Sequence, residues 1–376
     1  MNAGVAMSVS NRFASSLAMF LLAPAAYAAE SPDAAAQSVI QRYSLEESEA
    51  PARERAGWHK PKRILVGGQA APLIATLKAA APDVEFIAAR PNDAAKQAAN
   101  VDALFGICAP DVIAAGKSIQ WIHLLNAGVE SCVSNPALAE RNILVTNMQR
   151  IGGPVIAEHV MGMMLAFTRG LDIYIPAQSK REFRRATPPG RMEVVAGKTM
   201  LVVGLGGIGS EVAKRAHALG MKVVATRNSG RTGPEYVSYV GLPDELPKLT
   251  GEADFIVNTA PLTAQTTGMF NAAFFGRMKP SAYFINVARG GSVVTADLVA
   301  ALTEKKIAGA ALDVTEPEPL PPSHPLWQAP NLIITPHVAN DSDLGFDAQT
   351  EVTKENLRRF SAGEKMLSVV DVTRGY

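Results

Sequence analysis

The chain has 376 residues, with 48% hydrophobic and 19% charged positions and a formal net charge of +1 at pH 7. This length and composition are typical of a globular protein with two domains of ordinary size. There is no block of basic residues, so nucleic acid is not an expected partner. No side chains have the spacing of a metal site, and none is predicted. We interpret the two cysteines, Cys108 and Cys132, as small buried residues rather than a disulfide or a metal pair, because both lie in or next to apolar runs.

The N-terminus has the pattern of a secretory signal peptide. A short apolar run at 17–23 follows Arg12, and Ala26-Tyr-Ala28 resembles a cleavage site. The run is too short to span a bilayer, so no membrane segment is predicted. We therefore expect a signal peptide over 1–28 and a periplasmic or secreted protein. The alternatives are a start codon placed too far upstream or a disordered tail, with a cytoplasmic protein. Residues 29–60 are predicted to be a linker, with one or two helical turns within 30–56.

Strands alternate with helical segments from Lys62 onward. The apolar runs predict strands at 63–66, 84–88, 102–105, 121–125 and 143–146, with a helix at 70–80. This alternation indicates a parallel sheet covered on both faces. Ligands bind at the carboxyl ends of such strands. The loops at 67–68 and 126–130 are therefore candidate substrate contacts, in particular Gly68, Ala127 and Gly128, unless the glycines only form turns.

A glycine-rich turn follows the strand predicted at 199–203. Gly204, Gly206 and Gly209 have G-x-G-x-x-G spacing, and a helix is predicted at 210–219. In a dinucleotide site, the first glycine permits the turn, the second admits the pyrophosphate and the third lets helix and strand pack closely. The helix N-terminus offers N–H donors to the phosphates. A second strand at 222–226 completes the unit, so we predict dinucleotide binding, with Gly207 and Ile208 in the same turn.

The turn after this second strand predicts the choice of cofactor. NAD-dependent domains carry an acidic residue about 20 residues into the fingerprint, where it binds the ribose hydroxyl. Here the turn contains Arg227, Asn228, Ser229 and Arg231, with no acidic residue between them. The arginines can bind a 2′-phosphate, and Asn228 or Ser229 can donate a hydrogen bond. We predict NADP(H) over NAD(H); the alternative is that these are solvated loop cations.

Three chemically useful side chains follow later strands. Strands are predicted at 255–258, 283–286, 310–313 and 332–335, and a helix at 343–360 is expected to pack on the first domain. Parallel strands bring their carboxyl ends to one edge, which places Arg289, Glu318 and His337 together. Arginine can hold a substrate carboxylate in a fork. Histidine can give a proton to a keto oxygen, and a neighbouring carboxylate orients its ring.

These stretches together resemble the D-isomer-specific 2-hydroxyacid dehydrogenases. The matching segments are 204–209 with 220–221, 261–263 with 266–267, 284–290, 311–314 with 318–319, and 335–337, and the resemblance covers about residues 60–362. It implies that Arg289 binds the substrate carboxylate and that His337 is the acid/base, partnered by Glu318. It also implies that Asp313 contacts the nicotinamide carboxamide. Further cofactor contacts are expected at Ala260, Pro261, Thr267, Val287 and Ala288, and at Arg289 and His337 themselves.

The resemblance also implies an architecture and a reaction. The expected α/β fold has two Rossmann-like domains with parallel, doubly wound sheets and the active site in the cleft between them. The substrate domain would comprise 61–154 and 339–376, the NADP-binding domain 155–338, and the assembly would be a homodimer. The expected reaction is NADPH-dependent reduction of a small 2-keto acid, such as glyoxylate or hydroxypyruvate. Glu318, where the formate-oxidising branch has Gln, argues against formate. The alternative is a non-catalytic NAD(P)-sensing scaffold or corepressor-like protein.

Overall fold

Two parallel sheets organise the computed structural model, which describes residues 32–183, 185, 192–343 and 345–375. The predicted signal peptide lies outside the described residues. The strands are β1 (Arg63–Val66), β2 (Glu85–Ala88), β3 (Ala103–Phe105), β4 (Trp121–His123), β5 (Leu144–Thr146), β6 (Thr199–Val203), β7 (Lys222–Thr226), β8 (Tyr239–Gly241), β9 (Phe255–Asn258), β10 (Tyr283–Asn286), β11 (Gly309–Leu312) and β12 (Leu332–Ile334). The helices are α1 (Pro32–Tyr43), α2 (Ile74–Ala80), α3 (Ala94–Gln97), α4 (Pro110–Ala115), α5 (Glu130–Val133), α6 (Ala137–Glu140), α7 (Gly153–Thr168), α8 (Leu171–Ser179), α9 (Gly207–Ala218), α10 (Leu246–Glu252), α11 (Ala272–Phe275), α12 (Thr295–Thr303) and α13 (Gly345–Ala362).

The first sheet has the order β2-β1-β3-β4-β5, with all neighbours parallel. Successive residues of a strand point to opposite faces. Ile64 therefore joins a core with Leu357 and Phe360 of α13, while Leu65 joins a separate core with Ile122. Burial on both faces explains why these strands are continuous apolar runs. The last helix packs on this first sheet, as expected for a substrate domain that includes 339–376, and we keep the predicted domain bounds as a proposal.

The described part of the predicted linker is folded onto this sheet unit. Residues 32–43 form a helix of 12 residues, and Glu47 makes a β-bridge with Leu367. The apolar positions of α1 are Ala36, Val39, Ile40 and Tyr43, and the last three pack against a core that contains Leu367. Their i, i+3, i+4, i+7 spacing is that of an amphipathic helix. The helix is therefore longer than the one or two turns predicted, and this segment packs on the sheet unit.

The second sheet has the order β12-β11-β10-β9-β6-β7-β8, again with all neighbours parallel. The order reverses between β6 and β9, which is the switch point where dinucleotides bind in this architecture. Helices α7 and α9 pack together over one face. The predicted fold class, two Rossmann-like domains of the α/β type, is confirmed.

The two cysteines form a disulfide, so their interpretation as separate buried residues is wrong. Cys108 and Cys132 have Cα atoms 5.3 Å apart and are 24 positions apart in the chain. Cys108 follows β3 and Cys132 lies in α5, beyond β4. Because β3 and β4 are neighbours in the sheet, their carboxyl ends bring the two thiols together.

Membrane-spanning helices and metal-binding clusters are both absent from the described residues. No helix there has the length and apolar character needed to cross a membrane. No group of three or more His, Cys, Asp or Glu side chains in the same part of the chain is arranged to hold a metal ion.

Candidate active site

His337 and Glu318 form a hydrogen-bonded pair beyond the ends of β12 and β11. The Nδ1 atom of His337 lies 2.8 Å from Oε2 of Glu318. The other carboxylate oxygen of Glu318 accepts a hydrogen bond of 2.9 Å from the Thr315 backbone N–H. The His337 side chain is 50% exposed. Because Glu318 holds Nδ1, Nε2 is the ring nitrogen available to exchange a proton with a ligand.

Asp313 holds the loop that carries His337. Its carbonyl accepts from the His337 N–H at 2.7 Å. Its carboxylate accepts from the Thr335 hydroxyl at 2.6 Å and from the N–H groups of Val338 and Ala339, both at 3.0 Å. Asp313 is only 2% exposed, and His337 has a φ of 56°, a left-handed conformation that the loop must stabilise. Asp313 thus fixes the loop that carries His337, and its predicted contact with the nicotinamide stays a prediction.

His159 supports the same loop from α7. Its Nε2 atom lies 3.0 Å from Oγ1 of Thr335, although the two residues are 176 positions apart in the chain. No local pattern predicts this contact, because a histidine inside an apolar helix is usually a core residue.

Arg289 follows β10 and is bound by a carboxylate from the first sheet unit. Its Nε lies 3.0 Å from Oε1 of Glu130, and its Nη2 lies 3.3 Å from Oε2. The Nη1 atom donates to the Ala288 carbonyl at 2.7 Å. A Cβ on Gly128 would stand 1.8 Å from Nη2, so only glycine allows this approach. The predicted residues Gly128 and Arg289 therefore lie side by side. Glu130 ends the candidate loop at 126–130, but its contact with Arg289 was not predicted.

The other two predicted substrate residues lie at the same edge of the first sheet. Gly68 begins a 3-10 helix directly after β1 and faces open space. The Ala127 carbonyl, beyond β4, accepts a hydrogen bond of 2.7 Å from Asn147. Their contact with a substrate stays a prediction.

The glycine turn has the shape that a dinucleotide requires. Gly204 has a φ of +95°, and a Cβ there would stand 2.7 Å from Cα of Ala260. A Cβ on Gly209 would stand 2.2 Å from the Gly204 carbonyl, whereas at Gly206 no atom lies within 4 Å. Two glycines are thus needed for close packing and the third leaves open space at the start of α9, where a pyrophosphate fits. A Cβ on Gly207 would stand 2.7 Å from the side chain of Arg150.

The remaining predicted cofactor residues lie close to this turn. Ile208 is half-buried against the core beneath α9. Pro261 and Thr267 belong to the loop after β9, and Val287 and Ala288 directly follow β10. Strand β9 is the neighbour of β6 and β10 is the next strand beyond it, so all four residues lie at the sheet edge that holds the glycine turn. Their individual contacts with a cofactor stay predictions.

The turn after β7 contains two arginines with different surroundings: Arg231 forms an ion pair, whereas Arg227 is half-buried. Arg231 forms an ion pair with Glu245, with Nη1 2.6 Å from Oε2. Its Nη1 also lies 3.1 Å from the Tyr239 hydroxyl. Hydrogen bonds from Tyr239, from the Leu242 N–H and from Arg231 lower the pKa of Glu245 to about 2. The Arg227 guanidinium donates a long hydrogen bond of 3.3 Å to the Thr232 carbonyl. Asn228 and Ser229 are exposed.

Comparisons with known proteins identify the family. Residues 161–339 match the family model described as D-isomer specific 2-hydroxyacid dehydrogenase, NAD binding domain. The chain is 32% identical over 273 residues to the glyoxylate/hydroxypyruvate reductase A of Photorhabdus laumondii. The matched region covers 71% of this chain and 84% of the relative. The chain belongs to this dehydrogenase family.

Solved structures of the dehydrogenase family share the fold. A probable 2-hydroxyacid dehydrogenase from Rhizobium etli, in complex with NADP, HEPES and L(+)-tartaric acid, has a TM-score of 0.73 and 27% identity and covers 84% of this chain and 100% of its own. An NADPH-dependent glyoxylate/hydroxypyruvate reductase from Sinorhizobium meliloti, in complex with NADP and sulfate, has a TM-score of 0.71 and 29% identity with the same coverage. The predicted family and its oxidoreductase class are confirmed.

Proposed function

We propose that this dehydrogenase uses NADPH to reduce a small 2-keto acid, such as glyoxylate or hydroxypyruvate, to the D-2-hydroxy acid. The observation that carries the proposal is the hydrogen bond of 2.8 Å between His337 and Glu318, at the carboxyl edge of the sheet where Arg289 also lies. A scaffold that only senses NAD(P) has no need of a positioned acid/base pair. The Photorhabdus and Sinorhizobium relatives are both named as glyoxylate/hydroxypyruvate reductases.

The three side chains divide the chemistry of carbonyl reduction between them. Bound NADPH supplies the hydride that reduces the keto carbon. Arg289 binds the substrate carboxylate through parallel N–H donors and so orients the carbonyl. Protonated His337 donates the Nε2 proton to the keto oxygen, so that hydride and proton together complete the hydroxy acid. Glu318 accepts a hydrogen bond from Nδ1–H and stabilises the imidazolium until the proton is transferred.

The cofactor preference is part of the proposal. The open backbone at Gly206 and the N-terminus of α9 fit the pyrophosphate. Arg227 would bind the 2′-phosphate, with Arg231 as a second cation once it leaves Glu245. The Rhizobium and Sinorhizobium structures contain NADP, which supports NADP(H) over NAD(H).

Steady-state kinetics would test the function directly. A panel of glyoxylate, hydroxypyruvate, pyruvate and bulkier 2-keto acids should be assayed with NADPH and with NADH. We expect turnover of the small keto acids and higher kcat/KM with NADPH. Binding of NADPH with no oxidation in the presence of any keto acid would favour the scaffold alternative.

We also propose that the protein is exported. The N-terminal pattern over 1–28 supports this location, and so does the disulfide between Cys108 and Cys132, because disulfides persist in oxidising compartments. N-terminal sequencing of the native protein would test it. A mature chain that begins near Ala29 is expected, and an N-terminus upstream of Asn11 would contradict export.

A homodimer is the assembly that we propose. Three apolar side chains, Leu171 and Ile175 of α8 and Val194 nearby in the chain, are exposed in the single chain. Apolar residues concentrated in one segment are typical of an association surface. Light scattering should give the mass of two chains, and Ile175→Asp should shift the protein toward monomer. A monomeric mass for the unmodified protein would contradict the proposal.

A further inference from the structure

The contact between Glu130 and Arg289 leaves a defined part of the guanidinium for a ligand. Arginine has five N–H donors in a planar, rigid arrangement. Three of them have acceptors: Nε and one N–H of Nη2 on Glu130, and one N–H of Nη1 on Ala288. The remaining two, one on each terminal nitrogen, have no acceptor among the described residues. Two parallel N–H donors match the two oxygens of one carboxylate.

The local structure fixes Glu130 where it meets Arg289. Glu130 is the first residue of α5, and the preceding Val129 is only 3% exposed. Two residues beyond Glu130, the disulfide of Cys132 ties α5 to the loop after β3. Gly128 lets this segment approach Arg289 closely. Glu130 is therefore held by its surroundings, whereas Arg289 has a long, flexible side chain that needs a partner to keep one orientation.

We propose that Glu130 is a positioning residue that fixes the Arg289 guanidinium by its Nε/Nη2 side, so that the Nη1/Nη2 end binds the carboxylate of the keto acid. This inference rests on the proposed function, in which Arg289 binds that carboxylate. The pair joins the first sheet unit to the second. Because Glu130 ends the candidate substrate loop at 126–130, its contact also holds Arg289 next to that loop. A different role, in which Glu130 competes with the substrate for the guanidinium, predicts the opposite effect on affinity.

Binding of oxamate, a non-reacting monocarboxylate of similar shape, would test the proposal in the full-length enzyme saturated with NADPH. Calorimetry should show a Kd for oxamate about tenfold higher in Glu130→Ala, equivalent to about 1.4 kcal/mol. Glu130→Gln keeps one acceptor oxygen and should recover part of the affinity. The Kd for NADPH should not change. The matched control is Glu85→Ala, which removes the exposed partner of Arg63 (2.9 Å) in the same sheet, away from the site.

A double-mutant cycle separates positioning from a general effect on folding. In an Arg289→Ala background, Glu130→Ala should change the oxamate Kd by less than about twofold, because the residue through which it acts is absent. An equal loss in both backgrounds would overturn the proposal, and so would an unchanged or lower Kd in Glu130→Ala alone. Failure of the unmodified holoenzyme to bind oxamate would also overturn it. Normal oxamate binding without turnover of any keto acid would contradict the proposed function and leave this inference standing.

Discussion

Glu245 holds Arg231 in an ion pair of 2.6 Å, beside the turn that we expect to bind the 2′-phosphate of NADPH. The pKa of Glu245 is lowered to about 2, so this carboxylate stays ionised at every pH where an enzyme of this kind works. Arg231 is therefore not released by titration. A 2′-phosphate that binds Arg231 must compete with Glu245 for the guanidinium. Glu245 should therefore reduce the affinity of this turn for NADPH.

Glu245→Gln should strengthen NADPH binding by about threefold, the scale of one exposed ion pair. The substitution removes the charge that competes with the phosphate for Arg231. NADH has no 2′-phosphate, so its Kd should not change. Fluorescence titration of both cofactors would measure the effect. Glu252→Gln, at an exposed position of α10, is the matched control and should leave both values unaltered.

Arg227→Asp should reverse the cofactor preference. The substitution removes a cation from the turn and adds a charge that repels the 2′-phosphate, while the new carboxylate can bind the ribose hydroxyl of NADH. We expect kcat/KM to fall with NADPH and to rise with NADH. If the unmodified enzyme is as efficient with NADH as with NADPH, our interpretation of this turn is wrong.

His337→Ala should lower kcat by about 100-fold or more, which is the range for a positioned general acid. Arg289→Lys should mainly raise KM, because an ammonium cannot replace the parallel donors of a guanidinium. Stopped-flow measurement of NADPH oxidation would separate the chemical step from product release. Near-normal turnover in His337→Ala would remove this residue from the mechanism.

The disulfide should contribute to stability. Cys108 and Cys132 are 24 positions apart, and cross-linking a loop of this size typically stabilises a protein by about 3 kcal/mol. Urea unfolding of the Cys108→Ser/Cys132→Ser variant should show a loss of this size. Dithiothreitol should destabilise the unmodified protein and have no effect on the variant. Two free thiols in protein purified from its native compartment would contradict the bond.

Much of the fold could be predicted from local sequence signals. Strands β6 and β7 match their predicted bounds because a glycine or a polar turn ends each apolar run. Strand β8 was missed because three residues, only one of them a large apolar side chain, carry no periodic signal. The length of helix α1 was underestimated because the alanine- and serine-rich composition of its segment concealed the helical spacing of its apolar residues.

The site was predictable only where residues follow strand ends in order. Arg289, Glu318 and His337 each follow a strand of one sheet, so the topology brings them to one edge. The Glu130–Arg289 contact joins residues 159 positions apart on different sheets. No local pattern reports the relative placement of two sheets. The disulfide was missed for the related reason that it joins α5 to the separate loop after β3.

His123 occupies an environment that fits only its neutral ring. Its Nδ1 lies 2.8 Å from Oγ1 of Thr146, and its Nε2 lies 3.1 Å from Oγ1 of Thr353. The Thr146 oxygen already accepts from the Trp121 indole at 2.9 Å, so its own proton is free to be donated to Nδ1. The Thr353 hydroxyl donates to the Gln349 carbonyl at 2.7 Å and accepts from Nε2–H. Burial lowers the pKa of His123 from its ordinary 6.5 to about 3, so the folded protein keeps this ring neutral.

Stability should therefore fall in mild acid. Between pH 6.5 and about 3 the unfolded chain binds a proton at His123 that the folded protein excludes, so the free energy of unfolding decreases as the pH falls through this window. We expect a loss of about 2 kcal/mol between pH 7 and pH 5 from this residue alone. Urea unfolding at both pH values would measure it. His123→Gln should lower stability at pH 7 but remove this part of the pH dependence, whereas His217→Gln, at an exposed position of α9, should retain it. An unchanged pH dependence in His123→Gln would show that other groups cause the acid sensitivity.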